Sequence, residues 1–134
     1  MAAPTAVRTP RRVQRKRTPG WRMPEGAVCV TRPGKWGNPF KVGEPIARDS
    51  GLWPYAANLF PGPAAGFSAI RLPRAGDVVA AHRMWFVAQP ALMLTVEAEL
   101  GGRDLPCFCK PGAPCHGDFL LAMANGWDEI PGDS

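Results

Sequence analysis

Two short runs of apolar residues predict β-strands. Residues Gly26–Thr31, GAVCVT, form a β-branched apolar run that ends in a polar turn, which is typical of a buried strand. The segment RDLPCFC, residues 103–109, has a similar pattern near the other end of the chain. The sequence therefore predicts one strand early in the chain and one strand late in it.

Three segments between and after these strands have apolar residues at helical spacing. Asp77 can cap the first helix, Pro90 begins the second at a favoured first-turn position, and the third covers residues 114–127. The three apolar stripes are Val78, Ala81, Trp85 and Ala88; Leu92, Val96 and Leu100; and His116, Leu120, Met123 and Trp127. Glycines follow the second helix and end the third.

The order of these elements favours an α/β fold. Strands separated by helices usually pair in parallel through a right-handed crossover, so we expect a small, mainly parallel sheet with flanking helices, Rossmann-like in type. Ligands of such sheets bind beyond the carboxyl ends of the strands. The loops RPGKWGNPF and KPGAPCHGD each follow a predicted strand, so we expect them to open onto one shared pocket. Residues 48–76, interrupted by prolines, receive no assigned role.

Length and composition fit one compact domain. The chain has 134 residues, of which 46% are hydrophobic, enough for a modest core without disulfides. It has no run of eighteen apolar residues and no signal-peptide pattern, so we expect neither a membrane span nor secretion, and place the protein in the cytoplasm. In that reducing compartment, the four cysteines favour metal binding or catalysis over disulfides.

The basic charge is concentrated at the N-terminus. The chain carries a formal net charge of +5, but residues 1–22 hold seven basic side chains and no acidic one. We therefore predict a basic, partly disordered arm at residues 1–22 and a single α/β domain at residues 23–134. Such an arm attracts phosphate and so nucleic acid, or it is only a solubilising tail. The candidate nucleic-acid contacts are Arg11, Arg12, Arg15, Lys16, Arg17 and Arg22.

A cluster of cysteine and histidine residues precedes the last predicted helix. Cys107 and Cys109 are two apart on a strand and so face the same side, and the turn after them brings Cys115 and His116 back towards them. These four residues are candidate ligands for zinc in a Cys3His set. Their spacing differs from the paired C-x2-C of common zinc sites, so the sequence leaves metal binding open.

The same cluster also fits a site without metal. Cys115 at a helix N-terminus would have a lowered thiol pKa, His116 could act as an acid or base, and Asp118 could orient a hydroxyl group or water. These three are the candidate catalytic residues. Simple packing is the third interpretation, because cysteines are often buried and an aspartate stabilises the first turn of a helix.

The loop after the first strand supplies candidate ligand-binding residues. Arg32 and Lys35 could contact phosphate, Trp36 could stack on a base, and Asn38 could hydrogen-bond to it. We expect these residues and the catalytic candidates to share the pocket at the strand ends.

Two stretches, VTRPGKWGNPF and GGRDLPCFCKPGAPCHGDFLLAMAN, carry a family resemblance. The chain resembles the bacterial and phage family known as domain of unknown function 4326, whose pattern runs roughly VGRP-x-KWGNPF, LRGKDLACWC and PCH-G/A-D-x-LLE-x-AN. Thr31 replaces the usual Gly, Gly102 a frequent Arg, and Phe108 the usual Trp, and the proline-rich middle is longer. The resemblance implies no established activity. The matching site residues are Arg32, Lys35, Trp36, Asn38, Cys107, Cys109, Cys115, His116 and Asp118.

These observations give two hypotheses of function. The first is a small protein that binds a phosphate-bearing ligand, a nucleotide or a nucleic-acid end, and catalyses hydrolysis or transfer at a glycosidic or phosphate bond. The alternative is a non-enzymatic, zinc-stabilised module that binds DNA or RNA. The phage and actinobacterial setting suggested by the family and the composition places either one in a bacterial or phage-infected cell. Substrate, turnover and oligomeric state remain open at this stage.

Overall fold

The computed structural model of the protein describes residues 9–59 and 68–131. The described strands are β1 (Arg12–Gln14), β2 (Pro45–Ala47), β3 (Ala69–Arg71) and β4 (Leu105–Cys107). The described helices are α1 (Trp53–Ala57), α2 (Ala75–Val87), α3 (Pro90–Leu100) and α4 (His116–Asn125). The predicted α/β class is confirmed. Residues 1–8 of the predicted arm and residues 60–67 of the proline-rich middle lie outside the described residues.

A parallel sheet joins the two ends of the domain. β1 pairs with β4 in the register Arg12↔Leu105, Val13↔Pro106 and Gln14↔Cys107. On the other edge of β4, the backbone N–H groups of Val28 and Val30 donate to the carbonyl oxygens of Asp104 (3.1 Å) and Pro106 (3.0 Å). The small parallel sheet is therefore confirmed, with β4 between the two segments that flank it. Its Rossmann-like character stays a prediction.

The N-terminal part of the chain differs from prediction in two ways. β1 lies within residues 1–22, so part of the predicted arm belongs to the sheet. The backbone N–H of Arg11 also donates to the carboxylate of Asp104 at 3.0 Å. The low local hydrophobicity of this segment favours disorder, but pairing with β4 outweighs it. The segment Gly26–Thr31, expected as a regular strand, instead follows β4 irregularly, with Val28 and Val30 as its donors to β4.

The three predicted helices are confirmed as α2, α3 and α4. α2 begins before Asp77, whose carboxylate accepts the backbone N–H of Arg74, the N-cap residue, at 3.2 Å. Pro90 begins α3, and Gly126, with a φ of 66°, ends α4. None of the helices in the described part of the chain has the length and apolar character needed to cross a membrane.

The middle of the chain forms a second, antiparallel sheet that the sequence analysis did not predict. β2 pairs with β3, and Ile46 lies opposite Ile70 with both side chains buried and both neighbours of each exposed. These strands and α1 enclose their own apolar cluster, which includes Phe40, Ile46, Ile70 and Leu72. The larger cluster lies between the parallel sheet and helices α2, α3 and α4, and Trp85 packs against both clusters.

His82 lies at the centre of the larger core. Its side chain is 0% exposed, and among the described residues neither ring nitrogen has a hydrogen-bonding partner. The ring is surrounded by aromatic side chains, with centroids 5.7 Å from Trp85 and Phe86, 5.9 Å from Phe119 and 5.0 Å from His116. His82 therefore behaves as a neutral aromatic core residue.

We expect His82→Phe to remove part of the acid sensitivity of folding. Burial, with smaller contributions from His116 and Arg83, lowers the pKa of His82 from 6.5 to about 3. The unfolded chain therefore binds this proton first, so the stability due to the neutral ring is complete above pH 6.5 and is lost as the pH falls towards 3. Between pH 8 and pH 5 the loss is about 2 kcal/mol.

Urea unfolding of the wild type and His82→Phe at pH 8 and pH 5 measures this difference. The variant should lose about 2 kcal/mol less than the wild type on acidification. The same pH dependence in both proteins would show that His82 does not titrate as its burial requires.

Candidate functional site

Three cysteine thiols lie together where β4 meets α4. The Sγ atoms of Cys107, Cys109 and Cys115 are all within 4.8 Å of one another, and those of Cys107 and Cys115 are 3.3 Å apart. A tetrahedral zinc ion with Zn–S bonds of about 2.3 Å holds its sulfurs about 3.8 Å apart. The thiols therefore have the spacing of a group that could hold a metal ion, which confirms the coarser part of the predicted metal site.

The local backbone explains why these thiols converge. Cys107 is the last residue of β4, so alternation turns Cys107 and Cys109 to one side and Phe108 to the other. A turn closed by the Ala113 N–H bond to the Lys110 carbonyl (3.0 Å) reverses the chain. Cys115 then caps α4 and its Sγ accepts the backbone N–H of Gly117 at 3.3 Å.

Arg12 places a positive charge against this three-cysteine cluster. Its Nε lies 3.3 Å from a carboxylate oxygen of Asp118, and its Nη2 donates to the carbonyl oxygens of Lys110 (3.2 Å) and Ala113 (3.1 Å). The side chain is 10% exposed, and its Nη1 is buried with no hydrogen-bonding partner in the described part of the chain. Burial alone lowers the Arg12 pKa, but Cys115 and Asp118 outweigh burial and raise it overall.

Gly117 permits this close approach. A Cβ atom at position 117 would lie 3.3 Å from Cδ of Arg12 and 3.4 Å from Sγ of Cys115. A side chain here would crowd the Arg12 side chain, whose Cδ would have to move by a few tenths of an ångström. The glycine of the CHGD motif is therefore explained by the contact between β1 and α4.

The thiols and Asp118 influence one another's protonation. Hydrogen bonds from Cys109 and Cys115, helped by Arg12, lower the pKa of the Cys107 thiol. The hydrogen bond with Cys107 raises the pKa of Cys115 and of Cys109. Burial raises the pKa of Asp118 above its ordinary value, and Arg12 offsets this only in part. The cluster thus favours a thiolate at Cys107, with Arg12 and Asp118 beside it.

A cleft of about 830 Å³ opens beside the cluster. The residues that line it include Cys109, Cys115 and Asp118 from the β4–α4 region and three arginines, Arg11, Arg12 and Arg83. The lining of the cleft therefore combines cysteines, one aspartate and three arginines.

The two ring nitrogens of His116 have different neighbours. Its Nε2 donates to the carbonyl oxygens of Val30 (2.7 Å) and Trp36 (3.1 Å), and its Nδ1 lies 3.9 Å from Sγ of Cys115. Burial lowers the pKa of His116, and Nε2, which lies against two carbonyl oxygens, is the nitrogen that donates a proton to them. Among the described residues, the group of ligand atoms within 4.8 Å of one another contains three cysteines, so His116 as the fourth ligand of the predicted Cys3His set stays a prediction. His116 also joins α4 to the segment after Val30.

The candidate ligand-binding residues of the RPGKWGNPF loop are engaged in holding the loop. The side chain of Arg32 donates to the carbonyl oxygens of Asn38 and Phe40. Gly37 lies so close to Arg32 that a Cβ atom at position 37 would be 2.8 Å from the backbone nitrogen of Arg32. Asn38 is buried, donates to the Val78 carbonyl at 3.1 Å and accepts the Phe40 N–H at 2.9 Å. These contacts explain the polar residues of the motif without a ligand.

Trp36 and Lys35 also have partners within the protein. Trp36 is 5% exposed and its ring centroid lies 6.2 Å from that of Phe86. The exposed Lys35 ammonium is 2.7 Å from a carboxylate oxygen of Glu99. Stacking of a base on Trp36 would therefore require the core to open.

In the part of the chain that the structure describes, the two loops meet but line separate clefts instead of the one shared pocket that we expected. His116 connects them through the Trp36 carbonyl, yet Arg32 and Lys35 line a separate, shallower cleft of about 700 Å³ with Lys41 and Trp85. The lining residues of the two clefts do not overlap.

The six basic residues predicted to contact nucleic acid have three different environments. Arg11 and Arg12 line the cleft. Arg15 and Arg17 lie over the ring of Phe108, and Lys16 and Arg22 are exposed.

Arg83 and Phe108 were not among the site residues predicted from the sequence, and Phe108 was noted only as a departure from the family pattern. A signal for Arg83 was present, because Gly76, Val79, Ala80 and Arg83 recur at helical spacing and line the cleft from one face of α2.

A comparison with protein families found one match. The model of a family described as Domain of unknown function (DUF4326) matches residues 13–126. Comparisons with curated proteins and with solved structures found no match.

We expect Asn38→Ala to destabilise the fold and Lys35→Ala to leave it nearly unchanged. Asn38→Ala leaves the buried Val78 carbonyl and Phe40 N–H without their partners, which costs about 2 to 3 kcal/mol. Lys35 forms an exposed ion pair, so its removal costs less than about 1 kcal/mol. Urea unfolding measures both values. A ligand-binding rather than structural Asn38 would instead leave the free energy of unfolding close to that of the wild type.

Proposed function

The chain belongs to the family described as a domain of unknown function (DUF4326), and from that premise we propose that it binds a phosphate-bearing ligand beside a metal ion. The metal ligands are Cys107, Cys109 and Cys115, and the cleft next to them receives the ligand. The observation that carries this proposal is the three-cysteine cluster in the wall of a cleft that also holds three arginines and a carboxylate.

Zinc is the ion that fits this donor set best. Thiolate ligands select soft or borderline ions, and zinc with three protein ligands keeps a fourth position for water or substrate. Cys109 and Cys115 line the cleft, so we place that fourth position on the cleft side. Three thiolates around a divalent ion leave one negative charge, which the guanidinium of Arg12 offsets. Reduced thiols of this kind fit the cytoplasm of a bacterial or phage-infected cell.

The arginines of the cleft supply the affinity for phosphate. Guanidinium groups form charge-assisted, bidentate hydrogen bonds to phosphate oxygens. The helix N-terminus contributes less, because Cys115 already accepts the N–H of Gly117. We assign the principal phosphate contacts to Arg11 and Arg83. The ligand class is a nucleotide or a nucleic-acid end.

Asp118 is the residue that would move a proton in this cleft. Its raised pKa suits exchange with a water molecule or a ligand hydroxyl. In hydrolysis, Asp118 takes a proton from water as the bond from the water oxygen to phosphorus or to the anomeric carbon forms. The bond to the leaving group breaks, and the leaving group departs with that electron pair and takes the proton from Asp118. A metal ion held by the cysteines would stabilise negative charge on oxygen during this step. His116 positions the loops and is outside the lining of the cleft.

A second candidate function is a non-enzymatic, zinc-stabilised module that binds nucleic acid. The observation that favours it is the exposed ring of Phe108 with Arg15 and Arg17 over it, next in sequence to the exposed Lys16. In this case the metal ion only stabilises the turn between β4 and α4, and nothing is turned over in the cleft.

The metal site predicts a specific pattern of zinc content. Protein purified without chelator should contain about one zinc ion per chain, and Cys107→Ser or Cys115→Ser should lose most of it. Cys29→Ser is the matched control, because Cys29 bonds to Arg15 and Thr31 and lies outside the cluster. Elemental analysis and circular dichroism of each variant give the result. Equal zinc content in the cluster variants and the control would contradict the site.

The cleft predicts that phosphate affinity depends on Arg11 and not on the other cleft. Arg11→Ala should weaken binding of nucleoside monophosphates about 10- to 100-fold, as loss of a charge-assisted contact does. Lys41→Ala, in the shallower cleft, should leave binding unchanged. Isothermal titration with four nucleoside monophosphates and inorganic phosphate measures both variants. A loss of affinity confined to Lys41→Ala would move the ligand to the shallower cleft.

A further inference from the structure

We propose that Phe108 is a stacking platform for the bases of single-stranded nucleic acid. The proposal specifies the contact residues and the partner of the second candidate function, and rests on it only in requiring that the chain bind nucleic acid. It does not depend on any ligand of the cleft.

The exposed ring is the first supporting observation. Phe108 is 41% exposed although it directly follows the fully buried strand β4. Its neighbours in sequence, Cys107 and Cys109, turn inward to the three-cysteine cluster, so alternation directs the ring outward. The backbone at Phe108 is fixed by the inward side chains of Cys107 and Cys109, so the ring has a defined position although it is not part of the core.

The charge around the ring is the second observation. The guanidinium carbons of Arg15 and Arg17 lie 4.7 and 4.5 Å from the ring centroid. Arg15 is anchored, because it also donates to the hydroxyl of Thr31 at 2.9 Å. Arg17 and Lys16 are exposed. An aromatic ring among cations is the combination that binds single strands, in which bases stack on the ring and phosphates pair with the cations.

The geometry also favours single strands over duplexes. A base can reach the ring only if it is unstacked and exposed, and the exposed Arg17 can move aside to admit it. Bases in a duplex are stacked inside the helix, so a duplex would contact the cations alone. Phe108 therefore distinguishes a strand with accessible bases from one that offers only phosphates.

The test compares two 15-nucleotide strands that carry the same number of phosphates. One is fluorescein-labelled oligothymidylate, and the other is an abasic strand of equal length. Fluorescence anisotropy should show that the wild-type protein, as purified with its metal, prefers oligothymidylate. Phe108→Ala should bind oligothymidylate about 5- to 150-fold more weakly, the range for loss of base stacking, and should bind the abasic strand as the wild type does.

Three further variants separate stacking from charge and from folding. Phe108→Trp should retain the preference, and its added indole fluorescence should be quenched by oligothymidylate, which a purely structural ring would not show. Arg17→Ala should weaken both strands and reduce the salt dependence by about 0.7 in the log-log slope, whereas the exposed Arg74→Ala should not. Leu94→Ala, which truncates a side chain 83% exposed on α3, is the apolar control.

The possible results assign the failure to one proposal or the other. If Phe108→Ala binds oligothymidylate as the wild type does, or if the wild type binds both strands equally, the stacking platform is wrong and only a basic surface remains. If the wild type binds neither strand, the nucleic-acid function itself is wrong. Zinc content and nucleotide binding should be unchanged in Phe108→Ala, so the outcome leaves the cleft proposal untouched.

Discussion

The buried guanidinium of Arg12 is the interaction on which the arrangement of the candidate site depends. A charge that is nine-tenths buried is costly unless polar partners surround it, and Arg12 finds them in the carboxylate of Asp118 and the carbonyl oxygens of Lys110 and Ala113. These partners lie on the turn and the helix that carry Cys109 and Cys115. The first strand, the cysteine turn and the start of the last helix are therefore held as one unit, with a positive charge beside the sulfurs.

The residues that form the most distinctive motifs serve two different purposes. The RPGKWGNPF loop is stabilised from within, because Arg32 and Asn38 bond to loop and helix backbone and Trp36 is part of the core. His116 connects this loop to α4 through two carbonyl oxygens. The groups with chemistry to offer are instead the thiols, Asp118 and the arginines of the cleft. A residue pattern specific enough to define a family thus includes a large share of residues that maintain the fold.

The sequence predicted the elements whose signals are local and missed those that depend on distant partners. Helical periodicity and the positions of Pro90 and Gly126 identified the three long helices. The alternation of Cys107 and Cys109 gave the convergence of the thiols. In contrast, β1 contains only one apolar residue, and its role follows from pairing with β4. The burial of Trp36 and Asn38 also depends on packing against α2, and no local pattern reveals it.

The parallel pairing of β1 with β4 has a consequence for how the protein matures. The two strands are among the most distant parts of the chain, since Arg11 and Asp104 are 93 residues apart. During synthesis the first strand is made before its partner and stays unpaired until the segment that forms β4 has also left the ribosome. Closure of a loop of this length is slow, so the sulfur cluster is completed late, after the helices between the strands have formed. The nascent chain therefore carries an unpaired first strand until the segment with Cys107, Cys109 and Cys115 has been made, and the three thiols can converge only after that point.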